Sequence, residues 1–173
     1  GSDNDGGYII VDIPNISYSL LLSGGIGDDI SFETQFIKKY NTKCIAYDNT
    51  IAKLPGCDNI QFINKNIGFK NNNNITNLHT IIENHNNIFV KMDIEGDELY
   101  WIKSLNNNHL NKFEQIVIEF HYPYKSTWKE VFEKLNKNHY LVHFHGNNCR
   151  ELRWYDGVLV PYIFECTYLH KKH

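Results

Sequence analysis

Short apolar runs recur along the chain, and between several of them the apolar positions shift to a helical spacing. Tyr18 to Leu22 is such a run; a Gly-rich turn follows, and in Ile30 to Tyr40 the residues Phe32, Phe36, Ile37 and Tyr40 fall on one helical face. That order predicts strand, glycine turn, helix. Cys44 to Tyr47, Ile60 to Ile63, Ile88 to Met92, Gln115 to Phe120, Tyr140 to His145 and Tyr162 to Tyr168 predict further strands. Several are almost continuously apolar, as a sheet covered on both faces requires. Ile75 to Asn84, Asp97 to Leu110 and Ser126 to Asn138 predict helices between them. The alternation predicts an α/β fold: a doubly wound, mostly parallel seven-stranded sheet with its ligand at the carboxyl ends of the strands. The link between the last two strands, ending in Trp154 to Pro161, shows no helical pattern and is read as too short for a helical crossover, so an antiparallel pair is expected to close the sheet.

At 173 residues the chain is expected to form a single domain over 1–173, one able to bury roughly 70% of its unfolded surface. Gly1 and Ser2 read as a cleavage scar, so the natural chain is expected to extend upstream. The formal charge is -3, and no basic block exceeds Lys171 and Lys172, which argues against a nucleic-acid partner. No apolar stretch is long enough to span a membrane. Cys44, Cys57, Cys149 and Cys166 show no paired spacing, which points to reduced thiols and a cytoplasmic setting. The Asn runs at Asn71 to Asn74 and Asn106 to Asn108 fit loops, because Asn tolerates left-handed turns and bonds its own backbone.

Ser23 to Asp29 reads Ser-Gly-Gly-Ile-Gly-Asp-Asp and joins the first strand to the first helix, where backbone N–H groups and the positive helix end favour a bound cofactor. The same glycines also suit a plain tight turn. A dinucleotide fingerprint begun at Gly25 and Gly27 would need a third glycine where Ile30 stands, and Asp28 and Asp29 would face the pyrophosphate. A phosphate charge about 6 Å from a carboxylate costs roughly 3 kcal/mol at an effective dielectric of 20. A ligand carrying sulfonium and ammonium groups would be attracted instead. Asp48 ends the second strand about twenty residues further on, where a carboxylate can accept ribose hydroxyls or cap the following Asn-Thr turn.

Asp93 and Glu95 end the fourth strand, beside the point where the sheet order reverses; Asp93 reads as functional, Glu95 as either functional or a helix cap. Glu119 and His121 share one face of the fifth strand's end, and with Asp93 they can form a general base or a metal site. His121 is the preferred base, since an imidazole near pKa 6.5 suits neutral pH; a structural His bonded to Glu119 is the alternative. His145 and one of Asn147 and Asn148, with Asn148 favoured, are candidates for reading substrate hydroxyls. His143, His145 and Cys149 imitate a zinc set but lack a paired spacing. Trp101, Trp128 and Trp154 could stack on a sugar or pack the core.

With these pieces in order, the chain resembles the FkbM-like branch of S-adenosylmethionine-dependent methyltransferases, whose class I fold has seven strands ending in an antiparallel pair. The resemblance runs nearly end to end. It is carried by Asn4 to Tyr8, Ser23 to Glu33, Lys91 to Gly96, Ile118 to His121 and Phe164 to Tyr168, with Asp93-Ile94-Glu95-Gly96 the most specific. It implies that Gly25, Gly27 and Asp48 hold the cofactor, that Asn66 and Ile67 flank its adenine, and that Asp93 lies beside the reactive methyl. Ser23 stands where many relatives have an acid and Asp29 replaces a glycine, so the methionine end would fall to Asp28 or Asp5. The link from Asp48 to Ile60 is too short for a full helix, which leaves the ribose side less covered. The expected activity is methylation of a hydroxyl on a sugar, glycan or other small polar acceptor. His121 would serve as base, while Asp93 orients the acceptor or, with Glu119, holds Mg²⁺. The alternatives are a methyltransferase-like module that binds without turnover, a nicotinamide oxidoreductase opposed by Asp28 and Asp29, and an RNA ribose methyltransferase opposed by the charge.

Overall fold

Leu20, Leu21 and Leu22 are all buried, yet they serve two different cores: Leu20 and Leu22 point to one side, Leu21 to the other. Alternation of side chains along a strand, with both faces covered, is what makes a continuously apolar run stable at the centre of a sheet. The computed structural model describes residues 1–2, 7–54, 59–122, 127–148 and 150–173. In chain order the elements are β1 (Leu20–Gly24), α1 (Ser31–Tyr40), β2 (Cys44–Tyr47), β3 (Ile60–Ile63), β4 (Asn66–Ile67), β5 (Ile75–Thr76), α2 (His79–Glu83) and β6 (Ile88–Met92). There follow α3 (Glu98–Ser104), α4 (Asn107–Leu110), β7 (Phe113–His121), α5 (Thr127–Asn138), β8 (His139–Gly146), β9 (Leu152–Tyr155), β10 (Val158–Pro161) and β11 (Ile163–His170).

Seven strands form one sheet in the order β3-β2-β1-β6-β7-β11-β8. The first five are parallel, and β11 runs antiparallel to both β7 and β8. This is the α/β architecture the apolar runs predict, antiparallel pair included. The chain leaves β1 toward β2 and β3 and returns to β6 on the other side of β1, so the order reverses between β1 and β6. On one face α3 and α5 bury Trp101, Ile102, Trp128, Val131 and Leu135 against Val90, Ile118 and Phe120. On the other, α1 packs Phe32 and Phe36 against Phe89, with the Phe36 and Phe89 rings 4.4 Å apart. The leading segment crosses this second face: Val11 exchanges hydrogen bonds with the Gln115 side chain, and the Thr167 hydroxyl donates to the Ile9 carbonyl.

Three elements differ from expectation, each through short-range polar groups. The predicted helix from Ile75 begins only at His79. The Asn72 side chain accepts from the Asn74 and Ile75 N–H groups, which bends this stretch into a turn, and Leu78 is left-handed at φ 64°. The predicted helix from Asp97 to Leu110 is two helices, because Leu105 is extended and Asn106 caps α4 in a reciprocal capping box with His109. Trp154 to Pro161 lies within a hairpin, β9 with β10, whose turn residues Asp156 and Gly157 both have positive φ, the signature of a type I′ turn. No helix occurs among the described residues between β2 and β3, as the short link requires. Trp101 and Trp128 are core, whereas Trp154 is 74% exposed. Cys44 and Cys166 are buried free thiols. Cys57, Cys149, Asn4, Asp5, Gly6, Pro123 and Ser126 lie outside the described residues.

Candidate active site

The glycine turn is built by contacts from two neighbouring strands. Gly25 has φ +69°, and a Cβ there would come within 1.5 Å of the Asp93 carbonyl oxygen. Its N–H donates to the Tyr47 carbonyl and its own carbonyl accepts from Lys91 Nζ at 2.5 Å. Gly27, at φ +52°, is left-handed but has open space around it. Asp48 fastens the same turn: Oδ2 accepts from the Ile26 and Gly27 N–H groups at 3.0 and 2.9 Å, and Oδ1 from the Thr50 N–H and hydroxyl at 2.6 Å each. A carboxylate has about four lone-pair sites, so Asp48 is fully engaged with its own chain. Burial opposes its ionisation, but these donors outweigh that and hold its carboxyl below the usual range.

A cavity of about 720 Å³ opens at this switch point, within the size range of small-molecule sites. Gly25 to Asp29 form one wall, Asp48 to Thr50 a second, Asn66 and Ile67 a third, and Asp93, Ile94, Glu95 and Asp97 the floor. Six of its lining residues are acids, namely Asp28, Asp29, Asp48, Asp93, Glu95 and Asp97, against Lys65 and Lys91. Asp29 is tied down, accepting from the Ser2 hydroxyl and from the Ser31 N–H at the start of α1. Burial and the neighbouring Glu98 raise the Asp97 carboxyl.

Behind the floor lies a buried polar cluster. Glu98 is fully buried, and its Oε1 accepts from the Ile94 and Gly96 N–H groups at 3.1 Å each and from His121 Nδ1 at 3.0 Å. Glu98 thereby ties the loop before α3, while the helix itself has no side-chain cap, so Glu95 does not cap it. Glu95 instead adopts φ 57° and swings its carboxylate toward the other side of the imidazole. From His121 Nε2 the nearest oxygens are Glu95 Oε2 at 3.4 Å, Glu119 Oε2 at 3.6 Å and Asp93 Oδ1 at 3.8 Å. The Tyr8 hydroxyl donates to Asp93 Oδ2 at 3.3 Å, and burial with the charges of Asp93, Glu119 and Glu165 raises its own pKa.

The structure thus brings Gly25, Gly27, Asp28, Asp48, Asn66, Ile67 and Asp93 onto one cavity and sets His121 and Glu119 directly behind Asp93. Burial alone would lower His121, but Glu98, Glu119 and Asp93 push it up to about 9. The acids around the ring thus favour its protonated form. Burial and Asp93 push Glu119 up to about 7, against donation from Asn147 and the charge of His121. His145 is exposed on β8 and lies in register with Glu165, one strand beyond Glu119. Asn147, rather than Asn148, reaches the cluster, donating to Glu119 Oε1 at 3.0 Å; Asn148 is exposed in the turn that follows β8. The β9–β10 hairpin connects to this side through Tyr162, whose ring packs against Tyr122 and lies 4.3 Å from the Arg153 guanidinium.

Sequence reasoning missed Lys91, Glu98 and Tyr8. A lysine inside the apolar run Ile88 to Met92 is a readable signal, since a buried cation needs a partner. Glu98 and Tyr8 carry no such signal, because only the fold shows what they touch.

No family model matches the chain, and no curated protein matches it. Among solved structures it is similar to a ribosomal RNA methyltransferase from Plasmodium falciparum, with 15% identity over 90% of this chain and 87% of that one and a TM-score of 0.57. It is also similar to the precorrin-6y C5,15-methyltransferase of Geobacter metallireducens, with 9% identity over 90% and 82% and a TM-score of 0.47, which adds nothing to the first likeness. At 15% identity the likeness speaks to fold alone. No helix among the described residues is long and apolar enough to cross a membrane. Sheet order, antiparallel closing pair and structural likeness together give this chain the fold of a class I methyltransferase.

Proposed function

We propose that the chain is an S-adenosylmethionine-dependent methyltransferase, with the cofactor in the cavity at the switch point and a hydroxyl of a sugar or other small polar molecule as acceptor. One observation carries this reading: six carboxylates line the cavity against two lysines, and Lys91 is already engaged by the Gly25 carbonyl. Such a site repels a pyrophosphate and attracts a ligand with ammonium and sulfonium charges. Asp28 would take the ammonium end and Asn66 and Ile67 the adenine. A ribose hydroxyl would reach Asp48 by displacing Thr50, which now donates to Oδ1 from both its N–H and its hydroxyl.

S-adenosylmethionine supplies a methyl already activated on sulfur, so the protein's contribution is chiefly positioning, which can be worth about 7 to 11 kcal/mol. Asp93, at the cavity floor, would orient the acceptor hydroxyl. His121, held by Glu98, positions Asp93 from behind. The exposed aromatic and cationic surface of the β9–β10 hairpin fits the face of a polar acceptor.

Calorimetry is the direct test: S-adenosylmethionine binds and NAD does not. Failure of a folded sample to bind S-adenosylmethionine would favour a module without turnover, and NAD binding would favour an oxidoreductase. A second reading, methylation of RNA ribose, draws support for its RNA acceptor, though not for the ribose, from the name of the Plasmodium falciparum ribosomal RNA methyltransferase, while the net charge of -3 opposes it. RNA binding that falls steeply with added salt would favour that reading over a sugar acceptor.

A further inference from the structure

The geometry points to a divalent transition-metal site behind the cavity floor, with His121 Nε2, Asp93 Oδ1 and Glu95 Oε2 as ligands and Glu119 Oε2 as a fourth. These groups come from the ends of β6 and β7, and the ligand atoms of Asp93, Glu95 and His121 all lie within 4.8 Å of one another.

Three features set the cluster apart from a set of solvated acids. The first is spacing. Charge-assisted N–H···O bonds run at about 2.7 to 2.9 Å, whereas the three carboxylate oxygens around Nε2 stand at 3.4, 3.6 and 3.8 Å. Two ligands each about 2.1 Å from a shared tetrahedral ion are roughly 3.4 Å apart, so the gaps suit an ion between the groups better than direct bonds. The second is orientation. His121 has a side chain only 2% exposed, and Glu98 accepts its Nδ1–H, which turns Nε2 toward the carboxylates. A histidine ligand anchored through its other nitrogen by a carboxylate is the usual outer arrangement of a metal site. The third is an orphan: Asp93 Oδ1 is buried without a hydrogen-bond partner among the described residues, and it faces this gap.

Two left-handed non-glycine residues fall here: the ligand Glu95, at φ 57°, and Tyr122 next to His121, at φ 55°. One imidazole with several carboxylates selects an ion such as Mn²⁺ or Zn²⁺ over Mg²⁺, which prefers oxygen ligands and retained water. If the cavity holds S-adenosylmethionine, an ion bordered by Asp93 and Glu95 would coordinate the acceptor hydroxyl and lower its pKa. That role rests on the methyltransferase reading, whereas ion binding does not.

Mn²⁺ titrated into the chelator-treated protein without S-adenosylmethionine, followed by loss of the free-ion electron paramagnetic resonance signal, tests the site. One ion per chain is expected. Glu95→Gln, at a side chain 83% exposed and so safe for folding, should weaken binding at least 10-fold. Glu98→Gln should weaken it less while leaving one ion per chain, and circular dichroism reports whether each variant is folded. No Mn²⁺ or Zn²⁺ binding by the folded wild type, or unchanged binding by Glu95→Gln, overturns the site. S-adenosylmethionine binding, measured separately, reports on the methyltransferase reading whichever way the metal result falls.

Discussion

Gly25 stands so close to Asp93 that a single added carbon on Gly25 would lie 1.5 Å from the Asp93 carbonyl oxygen. The backbones of the first loop and the cavity floor are therefore in direct contact. Gly25→Ala is expected to fail to fold or to lose several kcal/mol, since the neighbour is backbone and cannot yield. Gly27→Ala meets nothing within 4 Å and bears only the left-handed cost of about 1 to 2 kcal/mol, a fall in Tm of roughly 2 to 8 °C. Thermal melts of the two variants check the contrast; equal losses would refute it.

Asp48 supports the turn through four accepted hydrogen bonds. Asp48→Ala leaves the Ile26 and Gly27 N–H groups without an acceptor, at a cost of about 3 kcal/mol by urea unfolding. Asp48→Asn, which keeps one acceptor oxygen, should cost less. Both should weaken S-adenosylmethionine binding in calorimetry, because the turn and the carboxylate change together.

His139 gives the fold a pH dependence remote from the site. Burial pushes its imidazole down to about 4, and Nε2 lies 2.9 Å from the Phe113 carbonyl. Between the ordinary value near 6.5 and about 4, the unfolded chain takes up a proton that the folded chain refuses, so stability falls as pH falls. From pH 7 to pH 5 this group should remove about 2 kcal/mol. His139→Gln, which can still donate to Phe113, should flatten that part of the urea-midpoint profile; an unchanged slope would refute the assignment.

Trp154 is 74% exposed on the hairpin, so Trp154→Ala should change stability by no more than about 0.5 kcal/mol. If the hairpin receives the acceptor, KM for the acceptor rises while S-adenosylmethionine affinity stays level. A rise in neither would remove the hairpin from acceptor recognition.

How far the sequence could be read follows the range of the forces involved. The seven main strands were legible because a two-sided core demands unbroken apolar runs such as Leu20 to Leu22 and Ile88 to Val90. The hairpin at Asp156-Gly157 and the break at Leu105-Asn106 were missed because each rests on one or two residues' backbone angles. In the site, Asp48 and Asp93 stood out as acids ending apolar strands. The role of Glu98 was hidden, because its bonds to Ile94 and Gly96 rest on the local backbone path and its partner His121 lies 23 residues away. The upward shift of His121 was partly hidden, because two of the acids behind it, Asp93 and Glu98, come from other segments.

The strip that covers the second face of the sheet has a consequence for synthesis. Tyr8 reaches Asp93 across 85 residues, Val11 reaches Gln115 across 104, and Ile9 reaches Thr167 across 158. The partner of Ile9 lies far along the chain, so this stretch waits until Thr167 has been made before it can dock there, and such distant pairings are slow to form. A nascent chain halted before Ile163 would lack the Thr167 hydroxyl that anchors Ile9.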